Sequence, residues 1–351
     1  CNPDYTDQVY KMQKTFALSL TVNPEKQAAI EIERLLKFPG FLKRDSFAKG
    51  RVEIVELRVD ERSRLCNVAL SELNRVIKCR VLVCAVLRRG DVVAPDGSFV
   101  LREGDRIFVT ASTESLATLL DNLGIITKKV NHVMICGGGR VSYYLAQQLE
   151  KDGMTVRLIE KDPKHCEELA ALLPKTEIIN DDASNTFVLK RENLESCDAL
   201  VTATGMDELN MIISLYGTKH GVSQVITKLG HMENGSMIDQ LPIGSTIWPK
   251  DLCCNGIVRY IRAMHNQTGA AVSVHSIADG KAEAIEFHVE EKKPYCDKPL
   301  KNMKVKQNIL VACITHGGVT ELPGGDSVIR EGDTVVVVTT RNDIIYKLDD
   351  I

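Results

Sequence analysis

The sequence predicts an α/β protein in which a doubly wound parallel sheet lies between two copies of a small α+β domain. Residues 131–228 alternate short apolar strands with amphipathic helices, which is typical of a parallel sheet with helices on both faces. The word Arg-Glu-Gly-Asp occurs at residues 102–105 and again 228 residues later at residues 330–333. Surrounding residues also match at this offset, as in Gly90 and Gly318. One kind of small domain is therefore predicted on each side of the central one.

The composition predicts a soluble protein with two or three domains. The 351 residues carry a net charge of −3, 26% of them are charged, and no apolar run approaches the roughly 20 residues of a membrane span. No cluster of basic residues favours nucleic acid as a partner. Eleven cysteines without a Cys-x-x-Cys pair indicate free thiols in a reducing cytoplasm. The adjacent Cys253 and Cys254 fall in a predicted helix, where neighbouring side chains point apart, and their role stays open.

The central domain, predicted over residues 129–268, is built from alternating strands and helices. Strands are predicted at residues 132–136, 155–160, 177–180, 198–202 and 224–227. Helices are predicted at residues 141–151, 163–173, 186–192 and 208–220. Leu145 and Leu149 lie four residues apart, which places both on one face of the first of these helices.

The turn after the first strand has the pattern Gly137-x-Gly139-x-x-Ser142, which is typical of a Rossmann-like dinucleotide site. Gly137 permits the tight turn. Gly139 lets the backbone approach a pyrophosphate, which amides and the dipole of the next helix would hold. Ser142 stands where a third glycine usually allows close packing of helix on strand, so we expect a slightly wider contact there.

An acidic residue stands where a ribose would lie in such a site. Glu160 ends the second strand, 23 residues after Gly137. A carboxylate there accepts hydrogen bonds from ribose hydroxyls and repels a 2′-phosphate, which favours NAD(H) over NADP(H). The alternative is a structural turn followed by a surface glutamate.

Polar residues after the later strands are further candidates. Asp182 would lie near an adenine ring, or would cap the next helix together with Asp181 or Ser184. Thr204 follows the fourth strand, at the crevice where such sheets bind ligands.

Two charged residues near the end of this series also leave alternatives open. Asp207 could cap the helix that follows Thr204. Lys228 ends the fifth strand and would balance phosphate charge, or is a solvated lysine at the sheet edge.

Each small domain is predicted to contain short strands and one short helix. Strands are predicted at residues 51–59, 81–87, 91–95 and 106–110 in the first copy and at 282–289, 309–315 and 334–339 in the second. The short helices are predicted at residues 65–73 and 295–303, and amphipathic helices at 25–38 and 250–265 precede the two domains. In both Arg-Glu-Gly-Asp words we expect a turn whose glycine, Gly104 or Gly332, adopts unusual backbone angles and whose charges are solvated. Anion binding by Arg102 and Arg330 is the alternative.

Neither copy carries a catalytic constellation, and no metal site is predicted. His275, His288 and His316 do not have the spacing of metal ligands.

Four runs of the central domain together resemble a known family. They are Ile-Cys-Gly-Gly-Gly-Arg-Val-Ser from Ile135, Leu-Ile-Glu-Lys-Asp from Leu158, Ile-Asn-Asp-Asp-Ala-Ser from Ile179 and Thr-Ala-Thr-Gly-Met-Asp-Glu-x-Asn from Thr202. These runs resemble the regulatory nucleotide-binding domain of the TrkA-type regulators of Trk potassium uptake systems, and the flanking copies resemble the small C-terminal domain that accompanies it. The resemblance covers essentially the whole chain. It implies that residues 1–40 are the end of a first nucleotide-binding domain with a crossover helix, that residues 41–128 and 269–351 are the two small domains, and that the chain is truncated at its N-terminus.

The resemblance also implies a function and a set of ligands. The residues that would line the nucleotide are Gly137, Gly139, Arg140, Glu160, Asp182, Thr204 and Lys228. NAD(H) is the implied cofactor, with ATP or ADP as further ligands. The implied partners are a Trk-type membrane potassium channel, on whose inner face the regulator would sit in the cytoplasm, and further copies of the chain in a dimer or tetramer ring. Related regulators bind a cyclic dinucleotide between paired small domains, and no motif decides this point here.

Two other functions remain as alternatives. A nicotinamide-dependent oxidoreductase needs a substrate domain, but the segment after the nucleotide domain is a copy of the one before it. A scaffold with a vestigial site is the third hypothesis. The intact glycine loop and Glu160 argue against the scaffold, and the repeated domain argues against the oxidoreductase, so gating without catalysis is favoured.

Overall fold

The computed structural model describes residues 19–37, 41–48, 51–60, 63–123, 129–230, 238, 241–264, 271–340, 345 and 347–351. They form two compact units. One combines residues 19–37 with 129–257, and the other combines residues 41–123 with 258–351. Among the helices of these ranges, none has both the length and the apolar character that a membrane span requires.

The secondary structure follows in chain order. The helices are α1 (Pro24–Lys37), α2 (Leu73–Ile77), α3 (Thr113–Leu123), α4 (Arg140–Lys151), α5 (Pro163–Leu172), α6 (Thr186–Arg191), α7 (Asp207–Lys219) and α8 (Pro249–Met264). The strands of the small domains are β1 (Lys43–Phe47), β2 (Val52–Arg58), β3 (Leu82–Arg88), β4 (Asp91–Val93) and β5 (Arg106–Ala111) in the first copy. The central strands are β6 (His132–Cys136), β7 (Thr155–Glu160), β8 (Glu177–Asn180), β9 (Ala199–Thr202), β10 (Gln224–Lys228) and β11 (Ser245–Ile247). The second copy has β12 (Ala271–Ile277), β13 (Ala282–His288), β14 (Ile309–His316), β15 (Val319–Glu321) and β16 (Thr334–Thr339).

The first unit contains the doubly wound sheet that the sequence predicts. Its six strands are parallel and follow the order β11-β10-β9-β6-β7-β8. The chain starts in the middle of the sheet at β6, and Ile135 pairs with Leu158 on one side and with Val201 on the other. The carboxyl ends of β6, β7 and β9 therefore lie side by side at the point where the strand order reverses, which is where such sheets bind ligands.

Helix α1 packs on the central sheet unit, although it precedes the first small domain in the chain. Ala28, Ala29 and Ile32 on its inner face are fully buried in the same core as Leu145 of α4. Burying this apolar stripe is what fixes an amphipathic helix on its neighbour. The structure thus joins α1 to the nucleotide domain through a shared core.

The two small domains have the same topology. Each is a five-stranded antiparallel sheet, in the order β1-β2-β5-β3-β4 and β12-β13-β16-β14-β15. Each has a bulge at the corresponding place, between Val83 and Ala85 or between Val311 and Cys313. Three of the four outer strands of these sheets, β1, β12 and β15, were not predicted from the sequence. The predicted short helices also differ from the structure: residues 64–67 form a turn and Leu70–Glu72 a 3-10 turn before α2, and in the second copy Leu300–Asn302 makes a single 3-10 turn.

The Arg-Glu-Gly-Asp turns are only partly as expected. Gly104 and Gly332 have φ of +84° and +85°, which confirms the left-handed turn position. The expectation that the charges are solvated is wrong for the aspartates, since Asp105 and Asp333 are 1% and 3% exposed. Each folds back to accept a hydrogen bond from the backbone amide at the start of its own turn, and Asp105 also accepts two bonds of 2.7 Å from the Arg88 guanidinium. The carboxylate closes the turn instead of facing water.

The two small sheets pack against each other in the second unit. Their shared core contains Phe47, Val52, Ile54, Cys84, Ala85, Leu87 and Phe108 of the first copy and Ile277, Ala278, Ala282, Ala284, Ala312, Cys313, Val336 and Val338 of the second. All of these residues are at most 6% exposed. The tandem small domains therefore form one body with a common apolar layer.

Candidate functional site

The glycine loop between β6 and α4 is fixed by close contact with the neighbouring strand. Gly137 has φ of +98°, and its amide donates to the Ile159 carbonyl over 2.8 Å. A Cβ at Gly137 would lie 2.8 Å from the Cα of Thr204, so no other residue fits without moving the backbone. The tight turn after β6 thus depends on glycine at this position, as the sequence predicts.

Gly139 leaves the start of α4 open. It is the N-cap residue of α4, has φ of −63°, and supplies no side chain to the first-turn amides. The nearest atom to a Cβ built there is the Ala203 carbonyl oxygen, 4.0 Å away, so space exists in front of the helix. Unpaired first-turn N–H groups and the helix dipole make such an end an anion-binding position.

Ser142 takes the place of the third glycine, in the first turn of α4. It is fully buried, and α4 packs with Val141, Leu145 and Leu149 in the core. The small side chain is accommodated under the helix without opening the core to solvent.

Glu160 is bound to the glycine loop through its carboxylate. Its Oε2 accepts from the Gly138 amide over 2.7 Å, and its Oε1 accepts from the Asp162 amide over 2.8 Å. Each carboxylate oxygen has a second lone pair, so hydroxyl groups can still donate to it. The acidic residue at the end of β7 therefore lies directly beside the loop that would hold a pyrophosphate.

His165 also contacts the loop, and the sequence analysis missed it. Its Nε2 lies 2.9 Å from the Gly138 carbonyl oxygen and its Nδ1 lies 3.1 Å from Oε2 of Glu168. Because both atoms that face the ring are acceptors, the doubly protonated imidazolium satisfies both contacts. The pKa of His165 is raised by the hydrogen bond with Glu168, by the Gly138 carbonyl and by the nearby Glu160 charge. Its place three residues after the Asp162 cap of α5 was the only available signal.

Thr204 and Lys228 are brought together by a residue that the sequence analysis did not select. Asn210 is fully buried, and its Oδ1 accepts from the amide and the hydroxyl of Thr204 over 2.9 and 2.7 Å. Its Nδ2 donates to the Lys228 carbonyl over 2.9 Å. The Lys228 ammonium donates to the Thr204 carbonyl over 2.9 Å, which ties the ends of β9 and β10 together.

The environment of Lys228 is not that of a solvated edge lysine. Its side chain is half-buried, and burial lowers its pKa while the charges of Asp207 and Glu25 oppose that shift. The alternative of a solvated lysine is therefore wrong.

Two predicted helix caps are corrected by the structure. The cap of α6 is Asn185, whose side chain accepts from the Phe187 amide, whereas Asp182 accepts from the Ser184 amide over 2.8 Å in an exposed turn. The N-cap residue of α7 is Met206, and the Asp207 carboxylate accepts instead from the Gly230 amide, over 2.9 Å to each oxygen. Sequence spacing cannot distinguish a cap from a side chain bound to a distant strand end.

Arg140 begins α4 and points toward α1. Its guanidinium Nη1 lies 3.7 Å from Oε1 of Glu25, and its side chain is 53% exposed. Six of the seven predicted site residues thus lie together at the end of the sheet. Gly137, Gly139 and Arg140 belong to one segment. Glu160 binds the Gly138 amide of that segment, Thr204 packs against Gly137, and Lys228 donates to the Thr204 carbonyl. Asp182 follows β8 at the outer edge, where the Asp181 amide donates to the Glu160 carbonyl.

The part of the chain that the structure describes contains no set of side chains suited to bind a metal ion. No group of three His, Cys, Asp or Glu side chains there could hold a metal ion. Cys253 is buried and Cys254 is exposed on α8, so the two adjacent thiols face different environments.

Family models match three parts of the chain. The TrkA-N domain matches residues 133–249, which cover β6 to the first residue of α8. The TrkA-C domain matches twice, at residues 54–124 and 284–348.

Similar proteins cover most of the chain. "Trk system potassium uptake protein TrkA homolog 1" of Methanosarcina mazei is 27% identical over 337 residues, which is 96% of this chain and 74% of the relative. "Trk system potassium uptake protein TrkA" of Haemophilus influenzae is 28% identical over 322 residues, which is 90% of this chain and 69% of the relative.

Solved structures show the same fold. The crystal structure of the GsuK RCK domain matches with a TM-score of 0.55 at 14% identity, over 96% of this chain and 70% of that one. The GsuK channel bound to NAD matches with a TM-score of 0.53 at 14% identity, over 96% of this chain and 59% of that one.

Proposed function

The chain belongs to the TrkA family, with one TrkA-N and two TrkA-C domains, and we propose that NAD(H) binding at its glycine loop regulates a membrane potassium uptake channel. The relatives are named as Trk system potassium uptake proteins, and a channel of the same fold is described as bound to NAD. The chain is the regulatory nucleotide-binding subunit of such a system.

The observation that carries the ligand assignment is the relation between Glu160 and the glycine loop. A pyrophosphate would lie before Gly139, on the open start of α4, and the ribose hydroxyls would donate to Glu160, whose carboxylate is held in place by the Gly138 amide. A 2′-phosphate at that place would meet the Glu160 charge, so NAD(H) is preferred to NADP(H).

Adenosine di- and triphosphate fit the same loop as further ligands. Arg140 and Lys228 supply positive charge near the phosphate position, and Thr204 adds a polar group at the end of β9. Asp182, beyond β8, lies at the edge where the adenine ring would reach.

Regulation, and not catalysis, is the proposed use of the bound nucleotide. The segments on both sides of the nucleotide domain, residues 54–124 and 284–348, match the TrkA-C domain, and this repeated arrangement favours regulation. A ligand can shift a channel only if it binds two arrangements of the assembly unequally, and couplings of about 1–3 kcal/mol are typical. The regulator would act at the cytoplasmic face of the membrane, as a dimer or tetramer ring on its channel.

Calorimetry on the chain tests this proposal. NADH, NAD, NADPH, ATP, ADP and a cyclic dinucleotide are titrated against the wild type and against Gly139→Ala and Gly139→Asp. Because a Cβ at Gly139 meets open space, both variants should fold, but only the aspartate places a negative charge at the phosphate position. We expect NADH to bind the wild type, to bind the alanine variant more weakly because its Cβ lies where the backbone approaches the pyrophosphate, and to show no detectable binding to the aspartate variant, without turnover of NADH. Absence of binding to the wild type, or steady turnover, contradicts the proposal.

A further inference from the structure

The contact between the two small domains is formed by corresponding residues of the two copies. Val52 and Ala282 begin the second strand of each copy, and both lie in the shared core. Ala48 and Ala278, which precede these strands, have φ of +50° and +52°. A contact in which equivalent patches meet has the character of a twofold dimer interface, here made within one chain.

An aspartate–histidine pair lies at the centre of this symmetry. Asp45 pairs with Ile54 in the sheet of the first copy, and His275 pairs with Ala284 in that of the second, which are corresponding positions. The two side chains face each other, with His275 Nδ1 2.9 Å from Asp45 Oδ1. They are 11% and 14% exposed, and the His275 ring lies 4.5 Å from the Phe47 ring. One position of the repeat is therefore an acidic residue in the first copy and a histidine in the second, and these two residues contact each other.

A second pair of contacts follows the same symmetry around the edge of the interface. Lys281 of the second copy donates to the Gly90 carbonyl in the turn between β3 and β4. At the corresponding place, the Arg51 guanidinium of the first copy lies against Gly318, where a Cβ would be 3.4 Å from it. Each copy thus places a basic side chain on the other copy's turn.

The edge contacts could form equally well between a first and a second copy or between two identical copies, because both copies have a basic residue and a glycine turn. The contact between Asp45 and His275 can form only between a first and a second copy. If the first small domains of two chains paired, the two Asp45 carboxylates would face each other. If the second small domains paired, the two His275 rings would face each other. At 11% and 14% exposure little water screens the repulsion between two carboxylates, and two imidazoles lack the carboxylate acceptor that Asp45 supplies to His275.

We propose that Asp45 and His275 select the pairing of unlike small domains and exclude the pairing of like copies between chains. The apolar layer supplies the attraction, and the polar pair determines which partner satisfies it. Each chain then completes its own pair of small domains, and chains associate through other surfaces. This inference does not depend on the nucleotide assignment.

Exchanging the two residues between the copies tests, in the full chain, whether they select the pairing of unlike small domains. Asp45→His and His275→Asp each create a like pair, and the double variant restores an unlike pair in reversed order. We expect each single change to lower the thermal midpoint and to speed hydrogen exchange in β2 and β13 by about tenfold, and the double variant to recover most of both. Asp91→His and His288→Asp are matched controls, because both residues are exposed in the same sheets.

Two outcomes overturn the proposal. One is a double variant no better than the worse single variant. The other is an equal loss in Asp45→Asn and Asp45→His, since then the contact matters and its charge does not. Light scattering adds a separate readout: we expect Asp45→Asn to increase concentration-dependent association of chains, and an unchanged mass at all concentrations counts against the exclusion of like pairs.

Discussion

Arg88 and His316 occupy the same position in the two small domains, and each binds the buried aspartate that closes the Arg-Glu-Gly-Asp turn. In the first copy, the guanidinium makes two 2.7 Å hydrogen bonds with Asp105. In the second copy, His316 Nδ1 lies 2.8 Å from Asp333 Oδ1. The turn is the same in both domains, but the group that balances its carboxylate differs.

Removing the arginine should destabilise the first small domain. In Arg88→Leu, the Asp105 carboxylate, which is 1% exposed in the wild type, would lose its cation, and removing one partner of a buried pair costs about 3 kcal/mol. Thermal unfolding and hydrogen exchange of β5 measure the loss. Arg75→Leu, at an exposed position on α2, is the control, and equal effects of the two variants would contradict this role for Asp105.

Gly137 and Gly139 should respond differently to the same substitution. Gly137→Ala forces a Cβ to within 2.8 Å of the Thr204 backbone at a φ of +98°, so a loss of at least about 1–3 kcal/mol in unfolding free energy is expected. Gly139→Ala meets no atom nearer than 4.0 Å and should be nearly neutral. Chemical denaturation measures the unfolding free energy of both variants. An unchanged unfolding free energy in Gly137→Ala would show that contact with Thr204 does not constrain the turn.

Asn210 should matter for both stability and nucleotide binding. Asn210→Ala leaves the part-buried Thr204 amide and Lys228 carbonyl without their partner, which costs about 1–3 kcal/mol, and it frees the ends of β9 and β10 beside the glycine loop. We expect a lower thermal midpoint together with weaker NADH binding. Asn74→Ala, which truncates an exposed side chain on α2, is the control. Unchanged NADH affinity in Asn210→Ala would separate this network from the site.

The contact between His165 and the glycine loop should depend on pH. The folded-state pKa of His165 is raised above its ordinary value of 6.5, first by Glu168 and then by the Gly138 carbonyl. A raised pKa means that the stabilisation is complete below the ordinary value and is lost as pH rises through the raised one. The difference in thermal midpoint between wild type and His165→Gln should therefore shrink as pH rises from about 6.5.

A control separates this histidine from general effects of pH. His132→Gln changes an exposed histidine at the start of β6 and should give a small, constant difference. A difference for His165→Gln that does not vary with pH would mean that the neutral ring makes the contact.

The fold could largely be predicted because its patterns are local. Alternating apolar segments and the glycine turn gave β6, β7 and β8 with their bounds as observed. The small domains were recognised from their repeat, but the outer strands β1, β12 and β15 were missed. Such strands contact only one neighbour and carry mixed side chains, as in Lys-Arg-Asp-Ser-Phe of β1, so the period-two signal is weak.

The candidate site was predicted where spacing along the chain corresponds to proximity in space. Gly137, Gly139 and Glu160 belong to one strand–helix–strand unit, and its geometry brings them together in any doubly wound sheet. Asn210 and His165 depend on contacts between different units of this kind, and no motif marks them. The carboxylates of Asp182 and Asp207, for which a helix cap was one alternative, bind elsewhere: Asp182 accepts from the Ser184 amide in a turn, and Asp207 accepts from an amide 23 residues away.

The sequence by itself determined the class of each domain, their order and the glycine loop. These follow from the periodicity of apolar residues and from short motifs of neighbouring residues that occur twice in the chain. Only the tertiary structure decided which partner each polar group has. It buried Asp105 and Asp333 inside their turns, and it placed Asp45 against His275, 230 residues away in the chain. Hydrogen bonds and ion pairs act over a few ångströms, so their partners are fixed only when the packing of the apolar layers has set the positions of the backbones.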